Sequence, residues 1–205
     1  MKILVVTGGI GSGKSLVCRM LNERFDIPVY EADKRAKALY LEVPGMIQDM
    51  ERKLDCVLRN DSGDFVPQML ADVIFNDESA LLIVEEILFP AMMNDFSSWA
   101  ESQNKEVVAF ESATILEKPQ FDGFGDLVLL VDAPVEMRLA RASARDRVDK
   151  ERIQVRMEAQ PLMNRLSQGA NSDRVDFTIK NVGSTDELGE KLSDFIEKYG
   201  LTKML

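Results

Sequence analysis

Residues 3–21, ILVVTGGIGSGKSLVCRML, constrain the fold more than any other stretch of the chain. Four apolar residues run into a glycine-dense turn, and a helical pattern opens at Lys14 and Ser15. Glycine buries no side chain, so Gly8, Gly9, Gly11 and Gly13 serve the backbone rather than a core. Gly8, Gly13, Lys14 and Ser15 satisfy G-x-x-x-x-G-K-[ST], with a strand pattern before the loop and a helix after it. Such a loop aims successive N–H groups at one point, at the positive end of a helix, which suits a chain of phosphates. Lys14 adds a full charge beside the β and γ phosphates, and Ser15 offers a hydroxyl to Mg²⁺. The loop therefore predicts a bound nucleoside triphosphate, ATP or GTP, and a strand–loop–helix unit to carry it.

Further strand-like runs lie at 107–110 (VVAF), 127–131 (LVLLV) and 175–179 (VDFTI), with a weaker one at 27–30 (IPVY). They are short and apolar throughout, as in strands buried on both faces of a parallel sheet. Helical segments separate them. The last, 185–199, opens on a capping box of Ser184 and Glu187 and stops at Gly200. This alternation predicts a doubly wound α/β sheet. From 43 to 104 only helical material is legible, with turns at NDSGD (60–64) and NDES (76–79), and this predicts a helical insertion. The chain has 205 residues and a formal charge of −10, which argues against non-specific binding to nucleic acid or an acidic membrane surface. No apolar run reaches membrane-spanning length, the strand pattern begins almost at residue 1, and Cys18 and Cys56 have no metal-type spacing. These features predict a cytoplasmic protein with reduced thiols. Without histidine, acid–base chemistry falls to carboxylates, Lys, Tyr or Cys.

Phosphate loops serve switches, motors and kinases. A guanine-reading Asn-Lys-x-Asp is missing, since Asn104-Lys105 continues as Glu106-Val107; the DGFG at 122–125 is a weak imitation of a switch motif. The length and the inserted helices favour a kinase, which needs an acceptor pocket and mobile parts that exclude water. In IPVYEADKRAKALY, Asp33 follows the second strand, where a carboxylate could take the proton of an attacking hydroxyl. It could equally cap a helix starting near Lys34. The segment 138–156 holds Arg138, Arg141, Arg145, Arg147, Lys150, Arg152 and Arg156 against Asp146, Asp149 and Glu151. Arg138, Arg141 and Arg145 share one helical face. Guanidinium groups bind phosphate bidentately, so the region 138–165 reads as an arginine-rich lid, with a solvated helix face as the plainer alternative.

The ordered series of motifs resembles the dephospho-coenzyme A kinase family over nearly the whole chain, particularly its bacterial single-domain form. TGGIGSGKS looks like the family's opening, and VYEADKRAK is similar to its D-A-D segment, with Asp33 on the catalytic aspartate. VVAFESATILEK resembles the strand and following D-x-P-L-L-F-E segment, ending on Glu117. LVLLVDAPVEMRLARASARD looks like the next strand and lid entry, with Arg141 and Arg145 on the family's arginines. VRMEAQ matches R-x-x-x-Q through Arg156 and Gln160, and VDFTIKNVGSTDEL is similar to the final strand with its asparagine, Asn181. Glu31, Phe89 before Pro90, and Ala113 depart from the family pattern.

The resemblance implies ATP-dependent phosphorylation of the ribose 3′-hydroxyl of dephospho-CoA, with ATP and Mg²⁺ as cofactors. It implies a three-layer phosphate-loop kinase fold: a parallel sheet, a helical acceptor-binding insertion at 43–104, and a lid at 138–165 within a core of 1–42 and 105–205. Catalytic roles fall to Asp33, Lys14, Arg141 and Arg145. Nucleotide binding falls to Gly8, Gly9, Ile10, Gly11, Ser12, Gly13, Lys14, Ser15 and Leu16, with Arg156 and Asn181. Ser15 is the metal ligand, and Glu111 and Asp132 are lesser candidates for water-mediated contact with Mg²⁺. A monomer is expected, with a homo-oligomer left open. A kinase of another small acceptor, such as a nucleoside monophosphate or shikimate, and a silent nucleotide-binding regulator stay as alternatives.

Overall fold

The computed structural model describes residues 1–170 and 172–201, which fall into two compact units, Met1–Glu31 with Gln103–Leu205, and Ala32–Ser102. The first unit contains β1 (Lys2–Thr7), α1 (Lys14–Phe25), β2 (Val29–Glu31), β3 (Val107–Glu111), β4 (Leu127–Asp132) and β5 (Phe177–Lys180). All pairings are parallel and the strand order is β2-β3-β1-β4-β5. β1 is central, and its Leu4, Val5 and Val6 are buried on both faces, which explains a strand without polar alternation. The final strand begins two residues later than its sequence pattern, because Asp176 instead accepts a hydrogen bond from the Val128 N–H at 2.7 Å.

Alternate side chains of the sheet feed two layers. Leu4, Val6, Ala109, Leu129 and Val131 pack with α1 and with α9 (Thr185–Lys198), whose Leu188, Leu192 and Phe195 face inward. Ser184 accepts from the Glu187 N–H at 3.2 Å, so the expected cap forms. On the other face, Phe110 stacks on Tyr30 with ring centroids 5.5 Å apart and meets the edge of Phe124 at 4.8 Å. The chain crosses from β4 to β5 through α6 (Val135–Asp146), α7 (Lys150–Glu158) and α8 (Pro161–Ser167). The arginine-rich segment is therefore not one helix. Arg147, with a φ of 55°, takes the left-handed conformation and ends α6.

The second unit is helical: α2 (Ala32–Glu42), α3 (Met46–Leu54), α4 (Pro67–Asn76) and α5 (Glu78–Gln103), the last ending at the return to the sheet unit. The isolated antiparallel bridge between Arg59 and Phe65 interrupts the expected helical run. Asn60 closes the first predicted turn by accepting from the Ser62 and Asp64 N–H groups. At the second, Asp77 accepts from the Ser79 N–H at 2.8 Å and the Ala80 N–H at 3.3 Å, satisfying donors at the start of α5. Arg35 holds α2 to α5 with two hydrogen bonds to Asp95, at 2.9 and 2.8 Å. By compactness this unit starts at Ala32, so α2 groups with the helices that follow it. Among the described residues, no helix is long and apolar enough to cross a membrane.

Candidate active site

β1 delivers the loop 8–13 to the carboxyl edge of the sheet, where α1 begins. Open parallel sheets bind ligands at this edge, beside strands whose crossovers diverge. β1 is such a strand, with β3 on one side and β4 on the other. Gly13 has a φ of 104°, and a Cβ there would lie 2.1 Å from Asn181 Nδ2. A side chain at that position is excluded twice, by conformation and by space.

A pocket of about 180 Å³ opens at the start of α1, lined by Gly11, Gly13, Lys14, Ser15, Arg141 and Arg145. The structure thus brings the phosphate loop and two of the predicted lid arginines together. Lys14 Nζ donates to the Gly8 carbonyl at 2.9 Å and lies 3.8 Å from Glu111. The lysine head is held across the loop it serves. Ser15 is exposed at the rim, which leaves its hydroxyl accessible to an ion. Glu111, at the end of β3, is half-buried beside Lys14.

The opposite side of the loop is anchored by side chains. Asn181 Nδ2 donates to the Ser12 carbonyl at 2.8 Å. Gln160 accepts from the Ile10 N–H at 3.1 Å and donates to the Ala113 carbonyl at 3.3 Å. Ile10 itself packs against the cluster of Ala142, Ile153 and Met157. Its amide is thus engaged in fixing the loop. Leu16 is partly buried against the core, and its N–H donates to the Gly13 carbonyl at 3.0 Å.

Arg138 separates from its predicted companions. It is fully buried; its Nε donates to the Ile10 carbonyl at 3.0 Å and its Nη1 to Ser167 Oγ at 2.9 Å. Ser167 in turn donates to Asp132 Oδ1 at 2.7 Å, and Lys180 pairs with Asp132 Oδ2. Asp132 is thus buried with both carboxylate oxygens engaged. Glu117 accepts from the Leu162 and Met163 N–H groups, at 2.9 and 3.2 Å, and so satisfies donors of the first turn of α8. The sequence showed Glu117 only as a matched letter; its separation from 162 by 45 residues hides the contact.

Arg141 Nη1 donates to the Asn181 carbonyl at 3.1 Å, fixing it beside the pocket. Arg145 is bound to Asp146 at 2.6 and 3.1 Å, and Arg156 reaches the same carboxylate at 2.8 Å. Hydrogen bonds from Arg145, and after them those from Arg156, hold the Asp146 carboxyl down at about 2. Arg156 is thus placed on Asp146 rather than among the residues lining the phosphate-loop pocket. Asp33 lies in the helical unit, exposed, as the second residue of α2. The helix starts before it, at Ala32, so Asp33 is a first-turn acid rather than the cap of a helix starting at Lys34. A carboxylate there is stabilised by the helix dipole.

No group of three or more His, Cys, Asp or Glu among the described residues could hold a metal ion.

A strand, a phosphate loop and a helix at the edge of a parallel five-stranded sheet, with arginines lining the same pocket, define a phosphate-loop kinase. The dephospho-CoA kinase family model matches residues 2–187. A dephospho-CoA kinase of Porphyromonas gingivalis is 36% identical over 176 residues, covering 86% of this chain and 84% of its own. Two solved structures share the fold. One is a Thermus thermophilus protein, with a TM-score of 0.81, 24% identity, and coverage of 96% of this chain and 97% of its own. The other is the dephospho-CoA kinase of Campylobacter jejuni, with a TM-score of 0.63, 21% identity and 96% of each chain covered. The chain belongs to the dephospho-CoA kinase family.

Proposed function

We propose that this protein transfers the γ-phosphoryl group of ATP to the ribose 3′-hydroxyl of dephospho-CoA, giving coenzyme A. The observation that carries the reading is the shared pocket of Gly13, Lys14, Ser15, Arg141 and Arg145, in a chain whose family model covers residues 2–187. Lys14 and the loop amides hold the polyphosphate, and Arg141 and Arg145 offset charge on the transferring group. Ser15 holds Mg²⁺, which neutralises phosphate charge when bound. Asp33 orients the acceptor hydroxyl and takes its proton. The helical unit serves the acceptor, and α6 to α8 form the lid. The protein works as a cytoplasmic monomer.

Steady-state ADP release with a panel of acceptors tests this. Release is expected with dephospho-CoA and not with shikimate or nucleoside monophosphates; an equal or higher rate with either overturns the acceptor assignment. Tight ATP binding without acceptor-dependent ADP release would make the protein a regulator. Asp33→Asn keeps side-chain size and removes the base, so turnover should fall by about 10²–10⁴ with melting temperature and ATP affinity nearly unchanged. Normal turnover in that variant removes Asp33 from the mechanism.

A further inference from the structure

The loop has a buried cation behind it. Arg138 has no exposed surface, and its Nη2 has no hydrogen-bond acceptor among the described residues. A Cβ on Gly9 would lie 1.9 Å from that nitrogen, so the guanidinium is pressed directly against the loop backbone. A Cβ on Gly11 would lie 2.1 Å from the Arg138 carbonyl. Arg138 thus leaves no room for a side chain at either of these loop glycines.

The charges around it do not cancel. Asp132 is bound by the Ser167 hydroxyl on one oxygen and by Lys180 on the other. Arg138 reaches it only through Ser167. Two cations and one carboxylate leave one positive charge in excess. Burial pushes the Arg138 pKa down, while Asp132 opposes the change; a guanidinium stays protonated in proteins regardless. A buried cation lacking a carboxylate in direct contact is costly, and an anion on the far side of a thin backbone would offset that cost.

We infer that Arg138 is a positioning residue of the phosphate site: it fixes the loop through Ile10 and Ser167 and presents its charge through Gly9 to the di- or triphosphate of the nucleotide. This rests on the nucleotide reading above. The role differs from that of Arg141 and Arg145, which line the pocket and meet phosphate directly.

The test is a charge series of ligands. Dissociation constants for ATP, ADP and AMP are measured on the full chain, with melting temperatures in parallel, for wild type, Arg138→Gln and Arg138→Lys. Arg138→Gln should weaken ATP and ADP about tenfold and AMP less than about twofold, because a lost buried charge acts in proportion to ligand charge and proximity. Arg138→Lys should restore most of the ATP-to-AMP preference, since it keeps the charge. A purely structural role would weaken all three ligands by one factor without rescue by lysine, and that pattern overturns the inference. If Arg138→Gln does not fold, Lys180→Gln carries the test, since it removes one charge from the same trio at a half-exposed side chain. It should narrow the ATP-to-AMP preference about threefold, and an unchanged preference overturns the inference. A wild-type protein that fails to bind ATP would defeat the kinase reading itself. Tight wild-type binding with an unaltered preference in the variants defeats only the role of Arg138.

Discussion

On its rear side the phosphate loop is held by Asn181, Gln160 and Arg138, whose exposures are 7%, 4% and 0%. On its open side Arg145 lines the pocket, more than half exposed and bound to a surface carboxylate, Asp146, which Arg156 also reaches. Both sides use side chains from the region after β4, yet they differ in what a hydrogen bond contributes. A buried bond, once broken, leaves its partner without water to replace it, at a cost of about 1–3 kcal/mol. An exposed ion pair exchanges for water at about 0–1 kcal/mol. The rear is therefore built for permanence, and the ion pairs of the open side for exchange.

Lys14→Ala should give the largest effect on the open side. Phosphoryl transfer should fall by several orders of magnitude, corresponding to about 3–5 kcal/mol, with the melting temperature preserved. Near wild-type turnover in a steady-state assay would remove Lys14 from the phosphate site.

Arg145→Ala sharpens the contrast. Turnover should drop by about 10²-fold, while denaturant unfolding shows a change within about 0.5 kcal/mol, as for other surface substitutions. A large stability loss would mean that the open side is as structural as the rear.

Asn181→Ala is the counterpart on the rear. It strands the buried Ser12 carbonyl, so unfolding free energy should fall by about 1–3 kcal/mol. ATP affinity should fall with it, while turnover at saturating ATP suffers less than in Lys14→Ala. Unchanged stability would show that the rear side is not held as described.

Asp146→Asn should give the smallest effect, readable through pH. The folded carboxyl is depressed to about 2 by Arg145 and Arg156. Its contribution is fully present above its ordinary unfolded value, about pH 4, and is lost as pH falls through about 2. Wild type should thus become more protease-sensitive in α6 and α7 on acidification through that window, an acid-stable protease being the probe. The variant should show the higher sensitivity already at neutral pH. An identical acid profile in both proteins would mean that Asp146 does not hold these arginines.

The sheet was legible because its strands are apolar on both faces, and the loop because glycine, lysine and serine at fixed spacing have few other uses. Arg138 was legible only as a member of a helical face. Its i, i+3, i+7 relation to Arg141 and Arg145 is real, but α6 turns that end of the face toward Gly9, and periodicity carries no information about what lies above a helix. Gln160 and Asn181 were matched letters whose task emerged only through contacts spanning 150 and 169 residues. The break at Arg147 was hidden because arginine is a good helix former, and it sits in the left-handed region without glycine to announce it. Asp33 was legible as an acid after the second strand, whereas its chemical role depends on an acceptor that residue patterns do not describe.

The central position of β1 has a consequence for the order in which this protein is made. β1 is made before the strands it pairs with, residues 107–111 and 127–130. Its backbone therefore waits until residues 107–111 before its first edge is paired, a delay that long sequence separation imposes on any parallel sheet. The loop waits longer still, because the bond that fixes Ser12 comes from Asn181. A nascent chain arrested before β5 would carry the whole glycine-rich motif and lack the Asn181 bond to Ser12. The loop is thus complete in sequence long before the residue that fixes its Ser12 carbonyl is added.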